Sequence, residues 1–263
     1  MTTTVWARGN YPKVAEDLVS RLGHELVEVC DIQPGQRVLD VGAGTGNASI
    51  PAAQRGATVI ASDLTPELLA AGREQAEARG VELDWVEADA QALPFEDGEF
   101  DTVISTIGVM FAPDHQRAAD ELVRVCRPGG SIGLVSWTPE GTIGRFFATM
   151  GAHAPAPAAG LQPPPLWGSR KHLNELFGQR VEWTTERVEL LPCNEFDTPR
   201  DLVEYYKQHF GPTINVYEYV GDDPERLAEL EGDFLAFAEE ENRGEPDAAF
   251  YEFEYLLTVG RKR

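Results

Sequence analysis

The chain has 263 residues, of which 42% are hydrophobic and 25% charged, enough apolar material for one sizeable folded core. It carries 44 acidic and 22 basic residues, which give a formal net charge of -22 at pH 7. A surface that negative repels phosphate backbones and anionic lipid, so neither nucleic acid nor a membrane is expected as a partner. No signal-like segment or membrane-length apolar run is evident, and a cytoplasmic location is expected.

The first half of the chain predicts alternating helices and strands. A lead-in helix is expected over residues 12–31, where Val14, Leu18, Leu22, Leu26 and Val29 recur at helical spacing. The predicted strands are 37–41, 58–63, 83–88, 101–107 and 131–137, and the predicted helices between them begin near Thr45 or cover 65–80 and 115–127. Strands that are apolar almost throughout, separated by helices, are typical of a parallel sheet covered on both faces.

The second half predicts the end of the sheet and a helical insertion. A Pro-rich loop is expected at 151–168, and strands are expected at 181–191 and 251–260. Two helices are predicted between those strands, one opened by Thr198-Pro199 and ended by Gly211-Pro212, the other opened by Asp223-Pro224 and ended by Gly244. The fold class is therefore α/β: a doubly wound, seven-stranded, mostly parallel sheet with an antiparallel last strand and a helical cap inserted before it.

This pattern divides the chain into four regions. The expected regions are an N-terminal arm and helix at 1–34, a cofactor-binding core at 35–150, the Pro-rich loop and a helix at 151–180, and the end of the sheet at 181–263 with the cap at about 197–248.

A glycine-rich loop follows the first predicted strand. Gly42, Gly44 and Gly46 would let the backbone approach a ligand closely, as in many nucleotide-binding folds. The spacing departs from the dinucleotide pattern G-x-G-x-x-G, since Asn47 stands where its third glycine would be. The loop also lacks the lysine of a P-loop, so it offers a triphosphate no counter-charge.

Two carboxylates and a turn accompany this loop. Asp63 ends the second strand, where it can accept hydrogen bonds from both hydroxyls of a ribose, although the same arrangement would also serve NAD. Asp89 follows the third strand, where an acceptor can take the amino group of an adenine. The fourth feature is a helix closed by Pro128, Gly129 and Gly130 that turns directly into a strand.

With these four features in this order, residues 35–137 resemble the class I S-adenosylmethionine-dependent methyltransferases. The resemblance is to the broad group that includes the ubiquinone and menaquinone C-methyltransferases, and it lies in "VLDVGAGTG", "ASDLTPELL", "ADAQALPFEDGEFDTVIS" and "ELVRVCRPGG". It implies S-adenosylmethionine as the cofactor. It also implies cofactor contacts from Asp40, Gly42, Ala43, Gly44 and Gly46 in the loop, Asp63 at the ribose, Leu64, Asp89 and Ala90 at the adenine, and Ser105 and Thr106 at the methionyl portion.

Other candidate groups come from outside those motifs. His115 begins the helix after the fourth strand and is either a general base at the mouth of the site or a surface residue. Tyr11 and Trp6 in the N-terminal arm either close over the cofactor or pack without a functional role. Ser105 and Thr106 stand at the end of the fourth strand, where metal-dependent methyltransferases place acidic ligands, so no metal is expected.

The acceptor is predicted only in outline. Residues 105–111, "STIGVMF", replace the (Asn/Asp)-Pro-Pro-aromatic element of enzymes that methylate planar amines, which favours an oxygen or carbon atom of a small molecule. The many aromatic residues of the cap suit an apolar or aromatic acceptor, or form the cap's own core. Two other functions stay open: an NAD-dependent oxidoreductase, and a cofactor-binding protein without transferase activity.

Overall fold

A seven-stranded sheet carries the fold in the computed structural model, which describes residues 5–156 and 160–263. The strands are β1 (Arg37–Val41), β2 (Thr58–Asp63), β3 (Asp84–Glu87), β4 (Phe100–Thr106), β5 (Cys126–Trp137), β6 (Val181–Cys193) and β7 (Tyr251–Lys262). Their order is β3-β2-β1-β4-β5-β7-β6, and β7 runs antiparallel to both of its neighbours while the other pairs are parallel. The predicted fold class is confirmed.

Helices cover both faces and one end of the sheet. They are α1 (Tyr11–Val14), α2 (Ser20–Val29), α3 (Ser49–Gln54), α4 (Pro66–Ala78), α5 (His115–Val125), α6 (Thr142–His153), α7 (Arg170–Phe177), α8 (Pro199–His209), α9 (Gly211–Val220) and α10 (Pro224–Glu241). Helices α8, α9 and α10, called the cap below, lie between β6 and β7. Across the two described ranges, no helix is long and apolar enough to cross a membrane.

The apolar strand sequences become the core of the molecule. Leu39 of β1, Val103 of β4 and Ile132 of β5 lie side by side on one face of the sheet and are fully inaccessible to solvent. Val38 and Ile104, which point to the opposite face, are fully inaccessible as well. Residues on adjacent parallel strands are buried on both faces only when helices cover both faces. The burial pattern therefore explains why these strands carry apolar residues almost continuously.

The lead-in helix differs from the single regular helix that was predicted. A π-helical segment, Ala15–Val19, separates α1 from α2. Such segments are rare and often lie at functional sites, because the extra residue in the turn shifts which side chains face a neighbour. This one turns Val14, Leu18 and Val19 towards a cavity described below.

Three further helix predictions need correction. The helix after the glycine loop begins at Ser49 rather than near Thr45, because Gly42, Gly44 and Gly46 all have positive φ and do not continue a right-handed helix. Helix α6 was not predicted at all. Gly211-Pro212 ends α8 as expected but also begins α9, since proline is well suited to the first turn of a helix.

A buried carboxylate fastens the cap to the sheet domain. Glu241 at the end of α10 is 3% exposed and accepts hydrogen bonds from Arg145 Nε at 2.7 Å and from the Thr142 hydroxyl at 2.8 Å, both on α6. Burial alone would raise the pKa of Glu241, but the bonds from Arg145 and Thr142 outweigh burial and hold the pKa below its usual value. The carboxylate is therefore ionised and depends on Arg145.

We expect Arg145→Met to lower the free energy of unfolding by about 3 kcal/mol, because it leaves a buried charge without its partner. Glu241→Gln should cost only about 1 kcal/mol, since the amide still bonds Thr142 and the half-exposed Arg145 can turn to water. Lys171→Met, which removes the exposed pair with Glu175, should change stability by less than about 1 kcal/mol. Urea unfolding measures all three, and equal effects of Arg145→Met and Glu241→Gln would contradict this account.

Candidate functional site

The main candidate site is a cavity of about 330 Å³ at the carboxyl ends of β1 to β4. Strand β1 lies between β2 and β4, and the connections that follow β1 and β4 run to opposite faces of the sheet. Open α/β sheets bind ligands at such a point. The lining residues come from the N-terminal arm and from the loops after all four strands: Trp6, Tyr11, Gly42, Gly44, Asp63, Leu64, Leu68, Ala88, Asp89, Ala90, Gln91, Ile107, Gly108, Val109, Phe111, Ala112 and Pro113.

The floor of this cavity is a contact between two backbones. A Cβ atom on Gly108 would lie 2.3 Å from the carbonyl oxygen of Gly42, and one on Gly42 would lie 2.8 Å from Gly108 Cα. Only glycine fits at either position. The preceding residue, Ile107, has a φ of 56°, which is rare for a β-branched side chain and is found mostly where the surrounding structure imposes it.

Asp63 joins the glycine loop to the end of β2. One carboxylate oxygen accepts from the Gly44 amide at 2.9 Å and the other accepts from the Thr65 amide at 2.8 Å. Burial raises the pKa of Asp63, although these amide bonds act against the increase. The carboxylate lines the cavity at the end of β2, where it can meet the hydroxyls of a ligand. Leu64 beside it is 52% exposed, which leaves a flat apolar surface next to that carboxylate.

Asp89 and Gln91 form the far end of the cavity. Asp89 accepts hydrogen bonds from the Gln91 amide at 2.8 Å and from Gln91 Nε2 at 3.0 Å. The Gln91 side-chain oxygen accepts in turn from the Asp114 amide at 2.9 Å, which holds Gln91 between the two loops. Ala90 also lines this end of the cavity, which therefore combines hydrogen-bond acceptors with a small apolar surface. Such a combination suits the edge of a heterocycle.

Asp40 lies beneath the glycine loop and does not line the cavity. Its side chain is 1% exposed; one oxygen accepts from the Ser49 hydroxyl at 2.6 Å, and the other has no partner among the described residues. Burial raises the pKa of Asp40 to about 7. The carboxyl group therefore holds its proton more strongly than an exposed aspartate does, and a nearby positive charge would favour its ionised form.

Four other predicted cofactor residues lie outside the lining. Ala43 is buried, and Gly46 provides space for an indole, because a Cβ there would lie 2.8 Å from Trp85. The Ser105 hydroxyl donates to the Val41 carbonyl at 2.6 Å and accepts from the Val109 amide at 2.9 Å, so it links the two loops from inside. The Thr106 hydroxyl is buried without a partner in the described structure. The structure thus places Ser105 and Thr106 behind the cavity wall.

His115 is not at the mouth of the site, contrary to the prediction. Its ring is 1% exposed, its Nδ1 lies 2.9 Å from His172 Nε2, and the ring centre lies 5.6 Å from that of Trp167. Burial first, and the neighbouring His172 second, lower the pKa of His115 to about 4. The imidazole is a neutral packing group between α5 and α7, because its first-turn position directs it into that interface.

The N-terminal arm closes the cavity and also contacts the cap. The Tyr11 ring covers the glycine loop, 3.5 Å from where a Cβ of Gly44 would be, and Trp6 packs on Phe111 with ring centres 4.4 Å apart. On its other side the Asn10 amide donates to the His209 carbonyl at 3.0 Å. Tyr11 is thus brought to the predicted cofactor site by contacts with the cap.

A second cavity adjoins the first and is apolar. Tyr11, Ile107 and Phe111 line both, and the second cavity is completed by Val14, Leu18, Val19, Trp137, Ile143, Phe146, Phe147, Tyr206, Phe210 and Phe253. Its free volume is only about 30 Å³ in this conformation, so a molecule entering it must displace side chains of the cap or the arm. None of these lining residues is charged.

Sequence reasoning missed most of the apolar walls. Ile107, Gly108, Val109, Phe111, Ala112 and Pro113 lie in the loop after β4, whose sequence carries no motif that marks it. The one available signal was the position of this loop, directly after a strand at the carboxyl edge of the sheet. Leu68, Ala88 and Gln91 likewise follow β2 and β3.

The cavity fits an adenosine that carries a positive charge. Asp63 and Asp89 are the ionisable carboxylates of its lining, and no lysine or arginine is present among the described lining residues. A dinucleotide would bring a pyrophosphate to this acidic cavity without a counter-charge, whereas a sulfonium and an ammonium group are favoured there.

Comparisons with known proteins agree with this geometry. A family described as "Methyltransferase domain" matches residues 39–134, the range that supplies all of the lining except Trp6 and Tyr11. A protein of Mycobacterium tuberculosis (strain ATCC 25618 / H37Rv), described as uncharacterized, is 49% identical over 259 residues, which are 98% of this chain and 93% of that protein.

Two methyltransferases are among the similar proteins. Demethylmenaquinone methyltransferase of Thermus thermophilus is 42% identical over 106 residues, covering 40% of this chain and 48% of that enzyme. The structure of geranyl diphosphate methyltransferase in complex with SAM aligns over 93% of this chain and 85% of that chain, with a TM-score of 0.57 and 18% identity. The second similarity concerns the fold alone.

We expect Gly108→Ala to destabilise the protein by about 1–3 kcal/mol, because the added methyl group would overlap the Gly42 carbonyl. It should also weaken ligand binding in the main cavity. Gly232→Ala is the matched control: this glycine lies in α10 with no atom near its missing Cβ, so alanine should stabilise by about 0.5–1 kcal/mol. Urea unfolding compares the two, and a neutral Gly108→Ala would contradict the close approach.

The raised pKa of Asp40 predicts a pH-dependent stability. Between about pH 4 and 7 the unfolded chain ionises Asp40 while the folded chain keeps it protonated, so this residue lowers the free energy of unfolding as pH rises. Asp40→Asn removes that dependence, and the variant should gain roughly 1–3 kcal/mol relative to the parent across this range. Urea unfolding at several pH values measures the difference; parallel curves would show that Asp40 ionises normally.

Proposed function

Because the chain belongs to the class I S-adenosylmethionine-dependent methyltransferases, we propose that it transfers a methyl group to an oxygen or carbon atom of a small apolar or aromatic molecule. The main cavity holds the cofactor, and the apolar cavity holds the acceptor. One observation carries this assignment: the two cavities share the walls Tyr11, Ile107 and Phe111, so a ligand in each would meet at those residues.

The positions of the cavity residues support the following proposed roles. Asp63 accepts from the ribose hydroxyls, Leu64 packs on the adenine, and Asp89 with Ala90 contacts its edge. Gly42 and Gly44 let the backbone lie against the methionyl part, and Tyr11 covers it from the arm. Asp40 contributes from below the loop, where its partnerless oxygen favours a positive charge.

The cofactor supplies the activated methyl group, and the protein supplies alignment and exclusion of water. Holding two reactants in line can lower the barrier by roughly 7–11 kcal/mol. Ile107, fixed by its unusual backbone and 4% exposed, forms the shared wall at which such alignment would be set. The rings of Phe146 on α6 and Tyr206 on the cap line the acceptor cavity and limit the access of water to it.

Calorimetric titration tests the proposal directly. The protein should bind S-adenosylhomocysteine and should not bind NADH; the reverse pattern would support an oxidoreductase and contradict the proposal. Incubation with labelled methyl donor and a metabolite extract from the source cell then separates a transferase from a binding protein, because only a transferase yields a labelled product.

Asp63→Asn should weaken S-adenosylhomocysteine binding about 10- to 100-fold, since it removes the charge that accepts the ribose hydroxyls. Because the amide oxygen can still hold one of the two backbone amides, the variant should fold, with some loss of stability from the amide left without an acceptor. Asp222→Asn, an exposed change beyond the end of α9, should keep the parent affinity. Calorimetry measures both, and unchanged affinity in Asp63→Asn would place the ribose elsewhere.

A further inference from the structure

We infer that the acceptor is a phenol or enol that loses its proton to water before methyl transfer, and that the Tyr206 and Tyr11 hydroxyls hold its oxyanion. This inference rests on the proposed function and extends it, since it assigns a substrate class to the apolar cavity. It follows from which polar and ionisable residues line that cavity and which do not.

No residue that lines the apolar cavity in the described structure can act as a general base. The lining contains no carboxylate, imidazole, amine or thiol. His115, the one histidine predicted near the site, is buried against His172 between α5 and α7 and lines neither cavity. Asp63 and Asp89 line only the cofactor cavity, and Asp63 is bound to the Gly44 and Thr65 amides. The acceptor must therefore provide a nucleophile that ionises without a base on the protein.

Two tyrosine hydroxyls are the donors available to such a nucleophile. Tyr206 is 6% exposed, and neither its hydroxyl nor that of Tyr11 has a hydrogen-bond partner among the described residues. Burial raises the pKa of both tyrosines, so both keep their protons and donate. A hydroxyl that is not bonded to the protein can donate to an oxyanion without breaking an existing bond, and hydrogen bonds to a charged oxygen are the stronger ones.

The apolar walls favour this reaction in particular. The phenolate oxygen forms a bond to the methyl carbon, the bond between that carbon and the sulfur breaks, and its electron pair stays on the sulfur. The proton has already passed to water, so an anion and a cation become a neutral ether and a neutral thioether. Because opposite charges disappear in the transition state, surroundings of low polarity accelerate the step. Neutral alcohols, which ionise poorly, would not react.

A series of phenols with similar size and graded acidity tests the inference: 4-nitrophenol, 4-cyanophenol, 4-chlorophenol and 4-methylphenol. We measure kcat for methyl transfer from S-adenosylmethionine across pH for each. The midpoint of the profile should move with the acidity of the phenol, and 4-nitrophenol should react at the lowest pH. A midpoint shared by all four would reveal a base on the protein and overturn the inference.

The Tyr206→Phe variant distinguishes a role of Tyr206 in binding the oxyanion from a role in packing alone. Loss of a hydrogen bond to a charged oxygen should reduce kcat/KM for the phenols about 10- to 100-fold and raise the pH midpoint, while the KM for S-adenosylmethionine stays unchanged. Damage to packing alone would lower the rate without moving the midpoint. Tyr205→Phe is the matched control, because that neighbouring hydroxyl donates to Asp17 at 2.8 Å and lines neither cavity.

The same preparation distinguishes failure of this inference from failure of the proposed function. If the protein does not bind S-adenosylhomocysteine, the proposed function fails. If it binds S-adenosylhomocysteine but the loaded protein binds none of the four phenols by calorimetry, only the substrate class assigned here is overturned. An unchanged midpoint in Tyr206→Phe would remove Tyr206 from the role given to it.

Discussion

The contact between the Gly42 and Gly108 backbones determines how the loops after β1 and β4 are arranged at the carboxyl ends of the strands. Parallel strands β1 and β4 are neighbours, and their loops must leave in opposite directions from adjacent ends. The loops meet before they part, with no room for a Cβ on either residue. That contact leaves Ile107 in a left-handed conformation, and the Ser105 hydroxyl bridges Val41 and Val109 beneath it. Gly42 and Gly108 line the main cavity, and the adjacent Ile107 lines both cavities.

The sequence predicted the strands and the carboxylate positions because those signals are local. An apolar run that ends in a carboxylate, such as "TVIASD", places Asp63 at the edge of a parallel sheet whatever the distant contacts are. The roles of the individual glycines were harder to predict, because glycines of one sequence pattern serve two different purposes. Gly42 and Gly44 line the cavity, while Gly46 makes room for the Trp85 ring from a neighbouring strand. Nothing within the loop distinguishes these roles.

The misplacement of His115 has a similar cause. First-turn residues of a helix after a parallel strand often face a ligand, but the direction of a side chain depends on what packs against the helix. Here α7 and Trp167 lie against α5, and both come from a part of the chain more than forty residues away. The π-helical segment Ala15–Val19 and helix α9 were missed for the same reason. Both depend on packing against distant parts of the chain, which a local sequence pattern does not reveal.

The strong negative charge of the protein bears on how an ionisable acceptor would reach the site. A net charge of -22 attracts the cationic cofactor and repels an anionic phenolate approaching through water. A neutral phenol meets no such barrier, and once it lies beside a sulfonium its own pKa falls because the neighbouring cation favours the anion. Neutral approach, followed by loss of the proton to water beside the sulfonium, therefore reconciles an acidic surface with an anionic nucleophile. It also makes the cofactor, rather than a side chain, the group that prepares the acceptor for attack.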